Sequence, residues 1–346
     1  MADTRNYSSE QLVQKFYQLE PGLQKVYVST ILKNALTNST NQYLSLIYRD
    51  FTKEGIEVNK LVKDDFWSVI ADRLKGEKVI IHYHWFQYSS RKFLKPVVLA
   101  FFWLFIYKLI GGKLIWTVHN RRPHIRRYGK FNHILRIFFE KLSYRNHVHC
   151  HCAVKEMAEI LKADTNKFFV VPHPDYPVQL RARSESFSVL KNKYGQVSNV
   201  SQLQVQDQVY LMFGQIREYK GVLPVAQIFA RLPEKANKKL LIAGSSKEAE
   251  YTRQLERLAQ LHPGIILIPY FVPDEDESYF YGLADTVILN HQETLTSGAA
   301  VLAKNYGKKL LVPDVCCLSE LQGENVQIFG DIQELDLFIN RDYSVH

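Results

Sequence analysis

The sequence predicts an α/β protein made of two Rossmann-like, doubly wound domains, and three observations predict it. The chain has 346 residues, enough for two α/β domains of ordinary size and too many for one simple core. Strand-length apolar runs alternate with helical ones along most of it, the pattern of a mostly parallel sheet covered on both faces. A polar stretch at 178–206 interrupts the alternation once, and a second α/β series follows. The expected division is an N-terminal Rossmann-like domain over 1–177, a connection over 178–206, a C-terminal Rossmann-like domain over 207–330 and a tail with a closing helix over 331–346.

The elements can be read in order. QKVYVSTIL is an apolar strand, and NQYLSLIYRDFTKEG has helical spacing and stops at Gly55, a residue suited to a helix end. KVIIHYHWF is a second strand, followed by an apolar helix around residues 93–110, and KLIWTVHN is a third strand, followed by the helix HILRIFFEKLSYR. HVHCHCAV and KFFVVPHP read as strands separated by a helix from about Lys155 to Leu161. In the second series QVYLMFGQI, KKLLIAG, GIILIPYF, DTVILN and KKLLVPD are strands. GVLPVAQIFARL, KEAEYTRQLERLAQL, DESYFYGLA, SGAAVLAKNYG and DIQELDLFI are the helices, with Pro224 tolerated in a first turn.

Composition narrows the partners. The hydrophobic fraction is 46% and the charged fraction 23%, ordinary for a globular chain. A net charge of +9 favours anionic partners such as nucleoside diphosphates, lipid phosphates or an anionic membrane. No zinc-finger spacing or other nucleic-acid signature accompanies it, so no nucleic-acid partner is expected. The run NHVHCHC at 146–152 has metal-binding residue types, but strand alternation would send neighbours to opposite faces. A buried strand is expected there, and no metal. The longest apolar run, Pro96 to Gly111, is interrupted by Lys108 and is shorter than the about 20 residues of a spanning helix. It predicts a buried or partly interfacial helix. The polar opening MADTRNYSSEQ lacks a signal-peptide pattern, so the expected location is cytoplasmic, at or near the inner face of a membrane.

Two stretches carry chemistry. In FGQIREYKG, residues 213–221, a strand ends at Gly214 and is followed by Arg217 and Lys220. Two cations at such a turn can grip a diphosphate, Arg as a fork and Lys as a point charge. In NHQETLTSGAAVLAKNYGKKLLVPD, residues 290–314, TLTSG lies between a strand and a helix. Unpaired amides and the helix dipole favour an anion there, with Thr296 and Ser297 as hydroxyl donors and Gly298 permitting close approach. A plain Ser/Thr N-cap explains the second stretch equally well by itself; the basic turn upstream tips the reading toward a donor site. A third cluster, NRRPHIRRYGK at 120–130, places Arg121, Arg122, Arg126 and Arg127 after an N-terminal strand. It suits a lipid-linked pyrophosphate acceptor or an anionic membrane as well as it suits a solvated loop.

These stretches resemble the GT-B-fold glycosyltransferases, and most closely the large retaining group called glycosyltransferase family 4, or group 1. FGQIREYKG resembles that group's donor-phosphate loop, and residues 282–314 resemble its paired-glutamate segment. VVPHP, KLLIAG, YFVPDEDESYF, VIIHYHW and LIWTVHN fall where the group has corresponding strands and loops, so the likeness spans roughly residues 78–325. It implies two Rossmann-like domains facing across a cleft, and transfer of a hexosyl unit from a nucleoside-diphosphate sugar to a glycan or lipid-linked acceptor. No cofactor is implied, no metal is expected for want of a DxD at the site, and the anomeric configuration would be retained. Arg217 and Lys220 would neutralise the diphosphate and Gly214 would let it approach. Thr296, Ser297 and Gly298 would bind the distal phosphate. The backbone of Phe271 and Val272 would meet the base, Glu293 would hold sugar hydroxyls, and His119 would face the donor sugar. Three departures stand out: Leu302 occupies the second glutamate position, Glu293 is offset by about one residue, and STILKNALTNST shows no glycine-rich loop. They keep two alternatives open, a non-catalytic relative that supports another transferase and a sugar-nucleotide epimerase.

Overall fold

Strands rich in Val, Ile and Leu fit best where both faces of a sheet are covered, and two such sheets form. In the computed structural model, residues 7–29, 42–61, 66–85, 94–122, 129–197, 199–233, 237–321 and 323–341 are described. The chain divides into two compact units, Met1–Tyr176 and Pro177–His346.

In the first unit the order is α1 (Tyr7–Leu19), β1 (Lys25–Ser29), α2 (Gln42–Ile47), β2 (Glu57–Lys60), α3 (Phe66–Leu74) and β3 (Val79–His84). It continues with α4 (Leu94–Leu109), β4 (Lys113–Thr117), α5 (Gly129–Leu142), β5 (Arg145–Val148), α6 (His151–Leu161) and β6 (Phe168–Val170). The sheet is parallel throughout, in the order β2-β1-β3-β4-β5-β6. α1 and α2 bury Leu12, Phe16, Leu44 and Ile47 against Val26, Val28, Ile80, Ile115 and Val171 of one sheet face. Toward the carboxyl ends of the strands that face becomes polar, and the register sets His84 beside Thr117 and Thr117 beside His147.

The second unit runs α7 (Arg183–Tyr194), β7 (Gln208–Phe213), α8 (Val222–Ala230), β8 (Lys238–Ala243), α9 (Ala249–Leu261), β9 (Ile265–Ile268) and α10 (Asp274–Leu283). β10 (Thr286–Ile288), α11 (Gly298–Asn305), β11 (Lys309–Pro313), β12 (Val326–Phe329) and α12 (Ile332–Arg341) complete it. Its parallel sheet has the order β12-β11-β10-β7-β8-β9. This is the Rossmann arrangement, in which the strand order reverses between the first and fourth strands, here β7 and β10.

Several sequence readings change. HVHCHCAV is not one strand: β5 stops at Val148, extended Cys150 caps α6, and the helix begins at His151. The chain leaves the sheet where the ladders to β4 and β6 run out. The polar segment after 177 contains α7, which buries Leu190 and Tyr194 in the core and adds polar ties to α10. Tyr194 donates to Asp276 of α10 at 2.5 Å, and Lys193 pairs with the same carboxylate at 2.5 Å. β2 and β12 are short edge strands with little buried surface, so periodicity does not mark them. Only Leu104 and Tyr107 of the 16-residue α4 are buried, so of the two expectations, buried or partly interfacial, the buried one gives way to an exposed apolar helix.

Candidate functional site: a switch-point loop pair and a histidine cluster

In the second unit the candidate site lies beyond the carboxyl ends of β7 and β10, where the strand order reverses and ligands of open α/β sheets bind. β7 ends at Phe213 and is followed by Gly214, at φ +101. The close approach of Gly244 makes this turn tight: a Cβ on Gly244 would lie 2.1 Å from the Gly214 carbonyl oxygen. The chain then makes a short 3₁₀ turn over Glu218–Lys220 and enters α8 through Gly221, at φ +59. Two bonds tie this loop to the one after β10. Asn290 Nδ2 donates to the Gly221 carbonyl at 3.0 Å, and the Gln292 amide donates to the Tyr219 carbonyl at 2.9 Å. The two stretches singled out in the sequence are thus one structure.

Lys220, Gly214, Gln215, Asn290 and His291 line a small cleft together with Met212, Ile242 and Ile288. Burial, and then the Arg217 guanidinium, push the Lys220 ammonium down to about 8. His291 is buried, its Nδ1 has no hydrogen-bond partner, and burial followed by the Lys220 charge pushes it down to about 3. A bare imidazole nitrogen and a partly desolvated ammonium in one cleft are polar groups that a ligand would satisfy. His291, Asn290 and Glu248 were not singled out in the sequence. The signal for the first two was their place just after a strand at the switch point.

Arg217 is half-buried and pairs with Glu248 at 3.3 Å, while the other Glu248 oxygen accepts from the Glu218 amide at 2.7 Å. Glu248 therefore fixes the loop that carries both cations. Ser297 takes the ordinary N-cap role on α11, accepting from the Ala300 amide at 3.3 Å, and its hydroxyl proton stays available to a ligand. Thr296 is partly buried, its carbonyl accepting from Thr294 Oγ1 at 2.8 Å, and Gly298 opens the helix. Glu293 lies on the exposed side of this loop. Val272 is buried and the Phe271 side chain is 69% exposed in the loop after β9.

In the first unit His119 follows β4 and belongs to a buried set of histidines. His82 and His84 come from β3, His147 and His149 from the β5 segment, and half-buried His173 joins them from beyond β6. Each strand contributes polar side chains two residues apart, so they share a face. His84 Nδ1 lies 2.9 Å from His119 Nε2, and Tyr48 Oη lies 2.9 Å from His84 Nε2 and in close contact with His82 Nδ1. His82 Nε2 is 2.7 Å from Thr117 Oγ1, which is 2.9 Å from His147 Nδ1. His147 Nε2 and His149 Nδ1 meet the Val171 carbonyl at 2.9 and 3.0 Å. Burial drives all six rings below the ordinary imidazole range, His147 and His173 to about 4. Trp85 stacks on His119 with centroids 4.4 Å apart, from a left-handed backbone at φ +47 that is uncommon for a bulky residue. Arg121 pairs with Glu156 at 3.4 Å, and Arg136 donates to the carbonyls of Arg121 and Asn120 at 2.9 and 2.7 Å. Arg122 is described; Arg126 and Arg127 lie outside the described residues.

No protein-family model matches the chain, and no curated protein matches it in sequence. Solved structures do match in fold. The catalytic domain of starch synthase IV from Arabidopsis thaliana, bound to ADP and acarbose, aligns with a TM-score of 0.63 at 13% identity, over 93% of this chain and 92% of that one. The fold is GT-B. HepE of Anabaena in complex with UDP-glucose aligns with a TM-score of 0.60 at 14% identity, over 92% of this chain and 90% of that one. Sucrose-phosphate synthase from Thermosynechococcus elongatus gives 0.63 at 13% identity, over 93% and 90%. At these identities the likeness to GT-B proteins concerns the fold; chemistry must be argued from the side chains.

Proposed function

We propose that the chain is a glycosyltransferase that takes a sugar from a nucleoside-diphosphate donor. The observation that carries the reading is the loop pair at the β7/β10 switch point, where Lys220 and the unpartnered Nδ1 of His291 line one cleft. A diphosphate there would meet Lys220, the Arg217 fork, the amides opening α11 and the Ser297 hydroxyl. Fixed cations and N–H donors stabilise the charge that develops on a departing nucleoside diphosphate. They can take the part of a divalent cation, which is why the proposal assigns no metal. Three GT-B neighbours solved with, or named for, nucleotide or sugar ligands support it. Retention of configuration, a glycan or lipid-linked acceptor and the place of His119 facing the donor sugar belong to the same proposal.

The acceptor side suggests a membrane. α4 exposes Val98, Leu99, Phe102, Phe105 and Leu109, and α5 adds Ile134 and Phe138. Trp103 of α4 packs on Trp67 of α3, itself 65% exposed, with centroids 4.6 Å apart. Large contiguous apolar faces mark interaction surfaces, and exposed Lys95, Lys108, Lys130 and Lys141 accompany this one. Apolar side chains among cations suit the interface of an anionic bilayer. Among the described residues no helix is long and apolar enough to cross a membrane; the proposed contact is peripheral, at the cytoplasmic face.

A thermal-shift screen against UDP, GDP, ADP, dTDP and CMP, with and without attached sugars, tests the donor. A ligand at a hundred times its Kd stabilises the native state by about 2.7 kcal/mol. Binding of one nucleoside diphosphate, lost in Arg217→Ala, supports the proposal. No binding at roughly millimolar ligand, far above the Kd range such a site would give, removes the transferase and leaves the non-catalytic partner.

A further inference from the structure

The buried polar chain of the first unit has a direction, because one end of it is a carbonyl. Val171 C=O can only accept, so His147 donates to it through Nε2–H and, being neutral, keeps a bare Nδ1. That Nδ1 can receive the Thr117 hydroxyl proton. With its one proton committed, Thr117 Oγ1 accepts from His82 Nε2–H, which leaves His82 Nδ1 bare to receive the Tyr48 hydroxyl. Tyr48 Oη then accepts from His84 Nε2–H, and bare His84 Nδ1 accepts from His119 Nε2–H. The links follow from counting one proton per hydroxyl and one per neutral ring; Tyr43, which also reaches Thr117, gives its own proton to His149, so whether Tyr43 or His147 takes the Thr117 proton, Thr117 has only lone pairs left for His82. Two side branches end the same way. His149 donates through Nδ1 to Val171, leaving Nε2 to accept from Tyr43, and His173 donates through Nδ1 to the Pro174 carbonyl.

His119 is the open end of the chain. It is 9% exposed, against 0% for His82, Thr117 and His147 and 1% for His84. We propose that Tyr48 and Thr117 are positioning residues that clamp His119 in the Nε2–H tautomer, so that its Nδ1 is presented as a hydrogen-bond acceptor for a substrate hydroxyl. His119 then orients a polyol by accepting from it and does not act as a proton donor. Trp85, stacked on the ring in its left-handed conformation, holds the imidazole plane while the chain fixes the tautomer. The inference about the hydroxyl rests on the glycosyltransferase reading; the tautomer clamp stands without it.

Long-range ¹H–¹⁵N correlation spectra of the histidine-labelled protein read each tautomer directly. Expected are Nε2–H for His82, His84, His119 and His147, and Nδ1–H for His149 and His173. Tyr48→Phe deprives His84 Nε2–H of its acceptor, so the favourable arrangement inverts: His84 donates from Nδ1 to His119 Nε2, and His119 becomes Nδ1–H. Thr117→Val inverts the same rings through Tyr48, whereas Thr117→Ser keeps the hydroxyl and restores the wild-type pattern. A mixed His119 tautomer in the wild type overturns the clamp, as does a His119 signal unmoved in folded Tyr48→Phe and Thr117→Val proteins. The wild-type spectrum decides even where a variant fails to fold. With a donor found by thermal shift, Thr117→Val lowers kcat about tenfold or more with little change in KM, and Thr117→Ser recovers it. Unchanged kcat in a folded, inverted variant overturns the role in orienting substrate and leaves the clamp as structure. Absence of any donor, by contrast, strikes the glycosyltransferase reading and not the clamp.

Discussion

Lys220 shows how one residue couples burial to binding. Desolvation and the Arg217 charge hold its ammonium at about 8, and a bound diphosphate would favour the protonated form and raise that value. Affinity for a nucleoside diphosphate is therefore full below pH 8 and falls as pH rises through 8, with uptake of a proton on binding above it. Calorimetry in two buffers of different ionisation enthalpy reads the uptake; its absence at pH 9 would place the diphosphate away from Lys220. In the proposed function Arg217 would contribute in another way, as a fork already steered by Glu248. Arg217→Ala is expected to slow turnover by on the order of a hundredfold, in line with the loss of one preorganised donor, while thermal unfolding stays close to wild type. Turnover within a factor of about three of wild type, a change of under 1 kcal/mol, would contradict the assignment.

At the scale of an element, α4 departs from what its sequence suggests by itself. A helix apolar on all sides is normally buried, yet α4 presents Phe102 and Phe105 half-exposed. Paired Phe102→Glu and Phe105→Glu substitutions remove few buried contacts, so stability is expected to shift by about 1 kcal/mol or less. Flotation with anionic vesicles is expected to be strong for the wild type, weak with neutral vesicles and lost in the double variant. Equal flotation of both proteins, or dimerisation of the wild type that the double variant abolishes, would rule out the lipid surface as the occupant. α11 is the opposite case. Its Ser297 cap was legible in TLTSG, because an N-cap is a local contest between a hydroxyl and the first free amides.

The molecule as a whole carries an acid liability in its first unit. Six histidines, five of them buried and His173 half-buried, are held below their unfolded range, His147 and His173 at about 4 against 6.5. Their neutral forms favour the folded state, fully so above pH 6.5. As pH falls from 6.5 toward 4 the unfolded chain binds more protons and stability drops by about 1.4 kcal/mol per pH unit for each proton. Guanidinium unfolding at pH 7.5, 6 and 5 is expected to show a steep fall in midpoint below 6.5. A flat midpoint across that range would mean that the histidines are not buried as neutral rings.

Strand and helix alternation, the basic turn at Arg217 and Lys220 and the cap at Ser297 were all readable in the chain, since each depends on neighbours within a few residues. Periodicity follows from local geometry, and glycines mark turns that other residues resist. What the sequence by itself determined, then, was the α/β class, most of the strands and the outline of the loop for which phosphate binding is proposed. Tertiary structure alone decided that His82, His84, Thr117, His119 and His147 join into one directed chain, for it takes the parallel register of three strands to bring them together. It alone placed His291 bare beside Lys220, because strand order, not spacing along the chain, sets β10 next to β7. And it left α4 exposed, since burial of a helix depends on what the rest of the fold supplies to cover it.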